Sequence, residues 1–140
     1  MPTKTRIALV LILVGFAAKQ VQAAPHTLVA SPVANKLGLS LNQYAFSWKT
    51  ERQGGYRVLV ASELRKLHAD VGDIWDSGHR LSQENKNIPC AGEAFPDGAK
   101  IWWKVQTWDE NGEASEFSEP SVIVVEQQNK ANPQRRPTHK

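Results

Sequence analysis

Cysteine is almost absent from this chain of 140 residues, which contains Cys90 and no other. A single cysteine excludes any disulfide bond within the chain. Cys90 is either buried as a small apolar group or a free thiol that pairs with another chain. Burial is favoured, because free cysteine is among the residue types most often found inside proteins. The fold must therefore depend on its apolar core, for which about 100 residues are sufficient.

The sequence also lacks an apolar run long enough to span a membrane, which takes about 20 residues. Residues 7–18 are free of charge and follow the cations Lys4 and Arg6. Small residues near position 23 offer a signal-peptidase site, so residues 1–23 are predicted to be a cleaved signal peptide. The alternative is a short retained membrane anchor. A cleaved signal predicts a secreted or periplasmic protein with no membrane contact after cleavage, and the distant Cys90 argues against a lipoprotein anchor.

A basic surface is missing too, although the whole chain has a formal net charge of +3. Residues 24–126 contain 10 basic and 14 acidic side chains, a net charge of −4. Nucleic-acid binding depends on cations that neutralise phosphates, so no nucleic-acid partner is expected. Residues 127–140 are basic and polar with two prolines, which predicts a disordered basic tail.

Motifs for metal or cofactor chemistry are absent. There is no glycine-rich phosphate loop and no Ser-His-Asp arrangement above chance. The histidines are scattered without zinc-site spacing, at His26, His68, His79 and His139. Three acids recur at every third position, where a calcium loop would place them two apart; they are Asp70, Asp73 and Asp76. These acids are predicted to form turns, and no metal or cofactor is expected.

Short strands are what the sequence does contain. Alternating apolar residues and turn signals mark seven segments: 28–30, 43–49, 55–62, 73–78, 84–89, 100–108 and 121–126. Residues 50–55 are interpreted as a hairpin loop, residues 94–98 as a turn, and residues 63–69 as one or two helical turns. The pattern predicts an all-β fold, an immunoglobulin/fibronectin type III-like two-sheet sandwich of about seven strands. The sandwich is assigned to residues 37–126, after an irregular lead at 24–36.

The predicted core takes one face of each strand. Its members are Phe46, Trp48, Tyr56, Val58, Val60, Ile101, Trp103, Val105, Val122 and Val124. Phe117 is expected to pack at one end of this core.

Asp109 and Glu110 raise the question of a catalytic carboxylate pair. Glycoside hydrolysis needs two carboxylates facing each other across one bond, roughly 5–10 Å apart. Adjacent residues of an extended chain point to opposite faces instead. An acid and Asn111 followed by Gly112 favour a hairpin turn, so we predict no catalytic residues here. Glu113, Glu116 and Glu119 are expected at the polar rim.

Trp102 and Trp108 are the candidate binding residues. If Trp103 points inward, both point outward, with Lys104 and Gln106 between them. Two exposed indoles flanked by polar groups would stack on sugar rings, which makes carbohydrate binding one interpretation. The second interpretation is that a neighbouring domain covers both indoles. The third is plain packing under the long side chains of Lys104 and Arg57.

Five motifs point to a family. They are AFSWK (45–49), YRVLVAS (56–62), GDIWDSG (72–78), NIPCAG (87–92) and IWWKVQTWDENGEASEFSEP (101–120). In this order they resemble the N-terminal fibronectin-type β-sandwich of bacterial α-L-rhamnosidases, glycoside hydrolase family 78, over residues 37–126. Two departures are Ile101 and Cys90, where the family usually has tyrosine or a similar residue. The loss of a tyrosine at 101 is expected to cost a side-chain hydrogen bond.

The resemblance implies a module without catalysis of its own, because the family's catalytic acids lie in a separate α/α-barrel. We expect an exported, non-catalytic module that acts in structure or interaction. Its expected partner is a glycoside hydrolase catalytic domain or a polysaccharide. One alternative is a carbohydrate-binding module that uses Trp102 and Trp108. The other is the N-terminal fragment of a split α-L-rhamnosidase.

Overall fold

The computed structural model of the chain describes residues 22–38 and 40–126. Most of the predicted signal peptide (1–23) and all of the predicted tail (127–140) lie outside the described residues. The described ranges form eight strands and one short helix. They are β1 (His26–Ala34), β2 (Ser40–Lys49), β3 (Gly55–Ala61), α1 (Leu64–His68), β4 (Trp75–Asp76), β5 (Arg80–Leu81), β6 (Ile88–Pro89), β7 (Lys100–Trp108) and β8 (Ser121–Val124). Within those ranges no helix has the length and apolarity that crossing a membrane requires.

The strands form two antiparallel sheets, which confirms the predicted all-β sandwich. The smaller sheet has the order β1-β2-β6. The larger has the order β4-β3-β7-β8, with β5 also paired to β3. The longest ladder of the larger sheet joins β3 to β7, from Gly55 opposite Trp108 to Ala61 opposite Trp102. This ladder determines which side chains of β7 face the same side as those of β3.

The main core lies between the two sheets and contains the predicted residues of β2, β3 and β7. Phe46 of the smaller sheet and Trp103 of the larger have ring centroids 4.4 Å apart, and both side chains are fully buried. Trp48 packs edge-on against Tyr56 at 5.3 Å. Aromatic pairs at these separations add to the stability that burial alone provides. The Trp48 indole also donates a hydrogen bond to Gln53, so its polar atom is satisfied inside the fold.

A second apolar cluster lies on the outer face of the larger sheet. Leu59 and Ala61 of β3 point away from the main core, yet both are fully buried. Leu67 of α1 covers them, and Trp102 and Phe117 pack at the sides. The predicted helical turns are thus confirmed, and their role is to cover this face. Phe117 belongs to this outer cluster and lies outside the main core.

A short strand was predicted at 28–30 within a lead otherwise expected to be irregular at 24–36, and the structure has a strand of nine residues there. β1 pairs with β2 from His26 opposite Lys49 to Ala34 opposite Ser40, with register shifts near both ends. The sequence hides the full length of this strand because regular alternation is absent and Pro32 lies within it. Proline is accepted here since β1 is an edge strand of its sheet. The sandwich therefore begins near residue 26 rather than at 37.

The interpretation of residues 50–55 as a hairpin loop was wrong. β2 and β3 belong to different sheets, so the segment between them crosses from one sheet to the other. Gln53 within this segment is buried and donates to the carbonyl oxygens of Ser82 and Glu84. Paired glycines after a strand indicate a turn, but they carry no information about which strand the chain joins next.

The predicted core face of β8 was also wrong. Val122 and Val124 are 43% and 63% exposed, whereas Ile123 and Val125 are buried. The sequence has four consecutive branched apolar residues from 122 to 125, so alternation does not identify the inner face. Pairing decides it, because Ile123 lies opposite the inward-facing Ile101.

Candidate functional site

Asp109 and Glu110 form a turn, as predicted, and their carboxylates have separate partners. Asp109 Oδ1 accepts hydrogen bonds from the backbone N–H groups of Asn111 at 2.9 Å and Glu113 at 3.0 Å. Gly112 has a φ of 82°, which a residue with a side chain rarely adopts. Glu110 lies 4.0 Å from the Arg52 guanidinium. The geometry is that of a closed hairpin end, and the pair does not flank a shared cleft.

Trp102 lies on the outer face of the larger sheet, where it is half-buried. It packs against the cluster of Leu59, Ala61 and Leu67. The Lys100 ammonium lies 5.8 Å from the centre of its ring. One side of the indole is thus used in packing, and a cation lies over the ring.

Trp108 is also half-buried, but at the far end of the same strand. The His79 ring stacks on it with centroids 3.8 Å apart and an angle of 17° between the planes. Trp108 is six positions after Trp102, which corresponds to about 20 Å along a strand. The structure therefore does not bring the two candidate residues together. The covering groups, His79 and Lys100, differ from the Lys104 and Arg57 that we expected.

Lys104 lies between the two tryptophans on the outer face, and it is buried. Its ammonium is 2.6 Å from Asp70 Oδ1 and 4.2 Å from the centre of the Phe117 ring. Only 9% of its side chain is exposed, against 56% for Asp70. The ion pair of Lys104 with Asp70 joins the end of α1 to β7. Because the buried Lys104 lies between Trp102 and Trp108, the two indoles lie on separate parts of the outer face.

The three regularly spaced aspartates have separate structural partners. Asp73 accepts hydrogen bonds from the N–H and hydroxyl of Ser62. Asp76 makes two hydrogen bonds to Arg57, at 3.0 and 2.7 Å. Those hydrogen bonds lower the pKa of Asp76, against a smaller opposing effect of burial. Across the described ranges, no three histidine, cysteine or acidic residues are grouped so that they could hold a metal ion.

Cys90 is half-buried at the edge of the main core. Burial raises the pKa of its thiol to about 11. The group is therefore a neutral thiol at physiological pH and a weak nucleophile, since the thiolate is the reactive form.

An uncovered apolar surface runs along β8. Val122 and Val124 lie on the outer face and are 43% and 63% exposed. Val122 pairs with Trp102 across the strands. We call Trp102, Val122 and Val124 the β8 surface. Sequence analysis missed its two valines because it assigned them to the core.

Within residues 22–38 and 40–126, no strand pairs with the edge of β8 that lies opposite β7. β8 is the last strand in the sheet order. Val125 donates to Ala99 and accepts from Gly98, so its peptide groups face the β7 side. Backbone groups of alternate residues point to opposite sides of a strand. The N–H and C=O groups of Val122 and Val124 consequently point away from β7, toward the free edge.

A cavity of about 600 Å³ opens at one end of the sandwich. It lies where β3 ends and β7 begins, under the loop that joins β6 to β7. Apolar groups form most of its wall, including Ile74, Phe95 and Ile101. Glu93 and Lys100, both exposed, stand at its rim. Sequence analysis gave no signal for this cavity, because its wall comes from segments distant along the chain.

The chain matches a known protein family. Residues 25–126 match the family described as "Rha78A-like, N-terminal immunoglobulin domain". The chain belongs to this family. The match confirms the resemblance found in the motifs, and it includes β1, which the predicted domain boundary had left out.

Curated relatives agree with this assignment. An α-L-rhamnosidase of Streptomyces avermitilis is 36% identical over 95 residues, which is 64% of this chain and 9% of the relative. An α-L-rhamnosidase of Formosa agariphila is 28% identical over 98 residues, 66% of this chain and 10% of the relative. The chain thus spans about a tenth of the length of these relatives.

Solved structures show the same relationship. The domain aligns with an α-L-rhamnosidase from Dictyoglumus thermophilum at a TM-score of 0.68 and 27% identity, over 83% of this chain and 14% of that one. It aligns with the Streptomyces avermitilis enzyme complexed with L-rhamnose at a TM-score of 0.60 and 28% identity, over 74% of this chain and 10% of that one. This Rha78A-like domain is therefore homologous to the N-terminal region of α-L-rhamnosidases.

Proposed function

We propose that this Rha78A-like domain is a non-catalytic interaction module that packs against the catalytic part of a glycoside hydrolase. Its similarity to α-L-rhamnosidases covers about a tenth of their length. The one suspected carboxylate pair is a turn whose acids have separate partners. Both observations favour a role in contact rather than in hydrolysis.

The observation that carries the proposal is the β8 surface. Two exposed valines beside a half-buried tryptophan form an apolar strip on a free sheet edge. Soluble proteins usually protect such an edge with charge, proline or a covering element. Contiguous exposed apolar groups commonly mark protein contacts. A covering partner would bury the valines, accept hydrogen bonds from the N–H groups of the open edge and donate to its C=O groups.

The length of the relatives supports this choice of partner. Relatives carry this domain in chains about ten times longer than the matched region. In such chains the rest of the enzyme is held at high effective concentration next to the domain. A small apolar strip is then sufficient for docking, because little of the entropic cost of association remains to be offset.

A chimera tests the docking. Residues 25–126 would replace the corresponding domain of the Streptomyces avermitilis α-L-rhamnosidase, and amide hydrogen exchange would be compared with that of this chain alone. We expect the Val122 and Val124 amides to exchange rapidly in the isolated chain and to be protected in the chimera. Equal exchange in both contexts would contradict the proposal.

Matched substitutions sharpen the same experiment. Val124→Ser in the chimera is expected to reduce the protection of β8 and to lower the thermal midpoint of the chimera. Leu81→Ser is the control, because Leu81 is 85% exposed on β5, outside the β8 surface. It should leave the protection of β8 unchanged. An equal effect of both substitutions would mean that docking does not use this surface.

The non-catalytic role is tested by a direct assay. The purified chain is expected to show no hydrolysis of an aryl α-L-rhamnoside above the rate of a buffer blank. Turnover that follows the protein through a second purification step would overturn this part of the proposal.

We further propose that the domain acts outside the cytoplasm, in the periplasm or the extracellular space. The support is the cation-flanked apolar run at residues 7–18. N-terminal sequencing of the exported protein should give Ala24 as the first residue. Retention of residues 1–23 in a membrane fraction would favour an anchor instead.

A further inference from the structure

We propose that the cavity at the end of the sandwich binds a neutral sugar of one or two rings through an apolar face of the sugar. The inference does not rest on docking at the β8 surface, and it places sugar binding away from Trp102 and Trp108. The volume of the cavity, about 600 Å³, lies within the roughly 300–1,000 Å³ typical of small-molecule sites.

The wall of the cavity suits the C–H face of a sugar ring. Phe95 and Ile101 are almost fully buried beneath it, at 4% and 3% exposure. Ile74 and Ala99 complete an apolar floor. A small-molecule site commonly combines such a floor with a few polar groups that orient the ligand.

The polar groups at the cavity favour a neutral ligand with hydroxyls. Glu93 supplies acceptors, and Lys100, whose exposed ammonium lies 5.8 Å from the centre of the Trp102 ring, would supply donors by turning toward the ligand, so the rim has one charge of each sign and no net preference for a charged ligand. Ser62 also contributes to the wall. Its hydroxyl donates to Asp73 at 2.7 Å, which leaves its oxygen free to accept from a ligand hydroxyl. Sugar hydroxyl groups both donate and accept hydrogen bonds, so they can pair with the donors and the acceptors of the cavity.

The loop over the cavity is held in place before any ligand arrives. Asn42 accepts from the Phe95 N–H through its carbonyl oxygen, and its side chain donates to the Phe95 carbonyl and the Asp97 carboxylate. On the other side, Gly98 donates to Val125, and Val125 donates to Ala99. The Phe95 ring stacks on Tyr44 at 5.8 Å. A preformed cavity lowers the ordering cost of binding.

The test is an amide NMR titration of the whole ¹⁵N-labelled chain with L-rhamnose and with D-glucose. We expect saturable shifts in the millimolar range at Phe95, Ala99 and Ile101 with at least one of these sugars. The indole N–H signal of Trp108, at the far end of β7, should stay in place. Absence of saturation with both sugars would overturn the proposal, as would shifts confined to the indole signals.

Substitutions at the cavity separate specific binding from general solvent effects. Ala99→Leu should abolish the saturable shifts by filling the cavity, whereas Ala91→Leu, in the same loop but outside the cavity wall, should preserve them. Lys100→Gln should weaken binding several-fold, whereas Lys86→Gln should not. The lysine pair keeps the test decisive if Ala99→Leu fails to fold. Unchanged binding in Lys100→Gln would contradict the assignment of Lys100 to the ligand-binding rim of the cavity.

Charged sugars test the choice of ligand class. D-Galacturonate and D-glucosamine are each expected to bind more weakly than the neutral sugar that saturates the cavity, because their charge would lose hydration over the apolar floor while Glu93 and Lys100 together offer no net charge to compensate. Tighter binding of either charged sugar would overturn the assignment to a neutral ligand. These outcomes are independent of hydrogen exchange at β8, so the two proposals fail separately.

Discussion

At the scale of single residues, Lys104 does most to shape the outer face. The sequence pattern placed Lys104 on the outside of the strand, between two tryptophans. Its ammonium is enclosed by Asp70 and the Phe117 ring. A buried ammonium is tolerated when hydrogen bonds and an opposite charge compensate for lost hydration. Asp70 supplies both, and it sits at a positive φ of 62° immediately after α1.

Removal of the Asp70 charge should be costly because it leaves the ammonium buried without a counterion. Asp70→Asn is expected to lower the free energy of unfolding by about 1–3 kcal/mol, measured by urea denaturation. Lys104→Met should change it by less than about 1 kcal/mol, because an apolar side chain of similar length fills the same space.

The control for this pair is an exposed ion pair on the same helix. Glu63 bridges Arg65 at 2.8 Å with both side chains largely in solvent. Glu63→Gln should therefore cost less than about 0.5 kcal/mol. If Asp70→Asn is as mild as Glu63→Gln, Lys104 does not depend on its counterion.

At the scale of elements, the alternation of apolar residues does not by itself identify the buried faces of β3 and β8. β3 was predicted to bury one face, yet α1 covers the other, so six of its seven residues are buried. β8 was assigned the wrong inner face because all its candidates are branched and apolar. In both strands a neighbouring element decided the burial, since α1 covers the outer face of β3 and pairing with β7 fixes the inner face of β8.

The corrected inner face of β8 predicts unequal effects of two matched truncations. Ile123→Ala should lower the free energy of unfolding by about 2–5 kcal/mol, since it opens space in the main core. Val124→Ala should cost less than about 1 kcal/mol, as expected for an exposed strand position. Chemical denaturation of both variants checks this. A larger effect at Val124 would restore the face that the sequence suggested.

At the scale of the whole molecule, the acids hold the outer face of the larger sheet together. Asp76 joins β4 to β3 through Arg57. Asp73 joins the segment before β4 to the end of β3 through Ser62 and to α1 through Lys66. Burial raises the pKa of Asp73, but the hydrogen bonds from Ser62 and Lys66 outweigh it, and the pKa is lowered. The pKa of Asp76 is lowered as well.

Lowered carboxyl pKa values predict loss of stability in acid. A carboxyl group whose pKa is lower in the folded state stabilises the fold above its unfolded pKa, near 3.9. That stabilisation disappears as the pH falls through the folded pKa. The free energy of unfolding should therefore decline below about pH 4, as measured by urea denaturation at a series of pH values.

Asp76→Asn should lower the stability at pH 7 and flatten the decline in acid, because the titrating group is gone. Glu113→Gln is the control, since Glu113 is an exposed acid beyond the Asp109 turn. It should leave the slope unchanged. An unaltered slope in Asp76→Asn would show that other groups are responsible for the acid sensitivity.

The sequence by itself determined the fold class, because alternation in β2, β3 and β7 places large aromatic and branched residues on one face every second position. It also determined the turn at Asp109, where the requirement for a positive φ is local to Gly112. The family followed from motifs in the same segments. These features depend on neighbours within a few residues, so the order of residues is sufficient to predict them.

Only the tertiary structure decided which faces are covered. The sequence did not reveal the full length of the edge strand that contains Pro32, the crossover between sheets at the paired glycines, or the inner face of β8 within four consecutive apolar residues. The β8 surface and the end cavity likewise arise from segments that are far apart in the chain. Burial is a property of packing between elements, and a linear pattern does not specify which element a given face will meet.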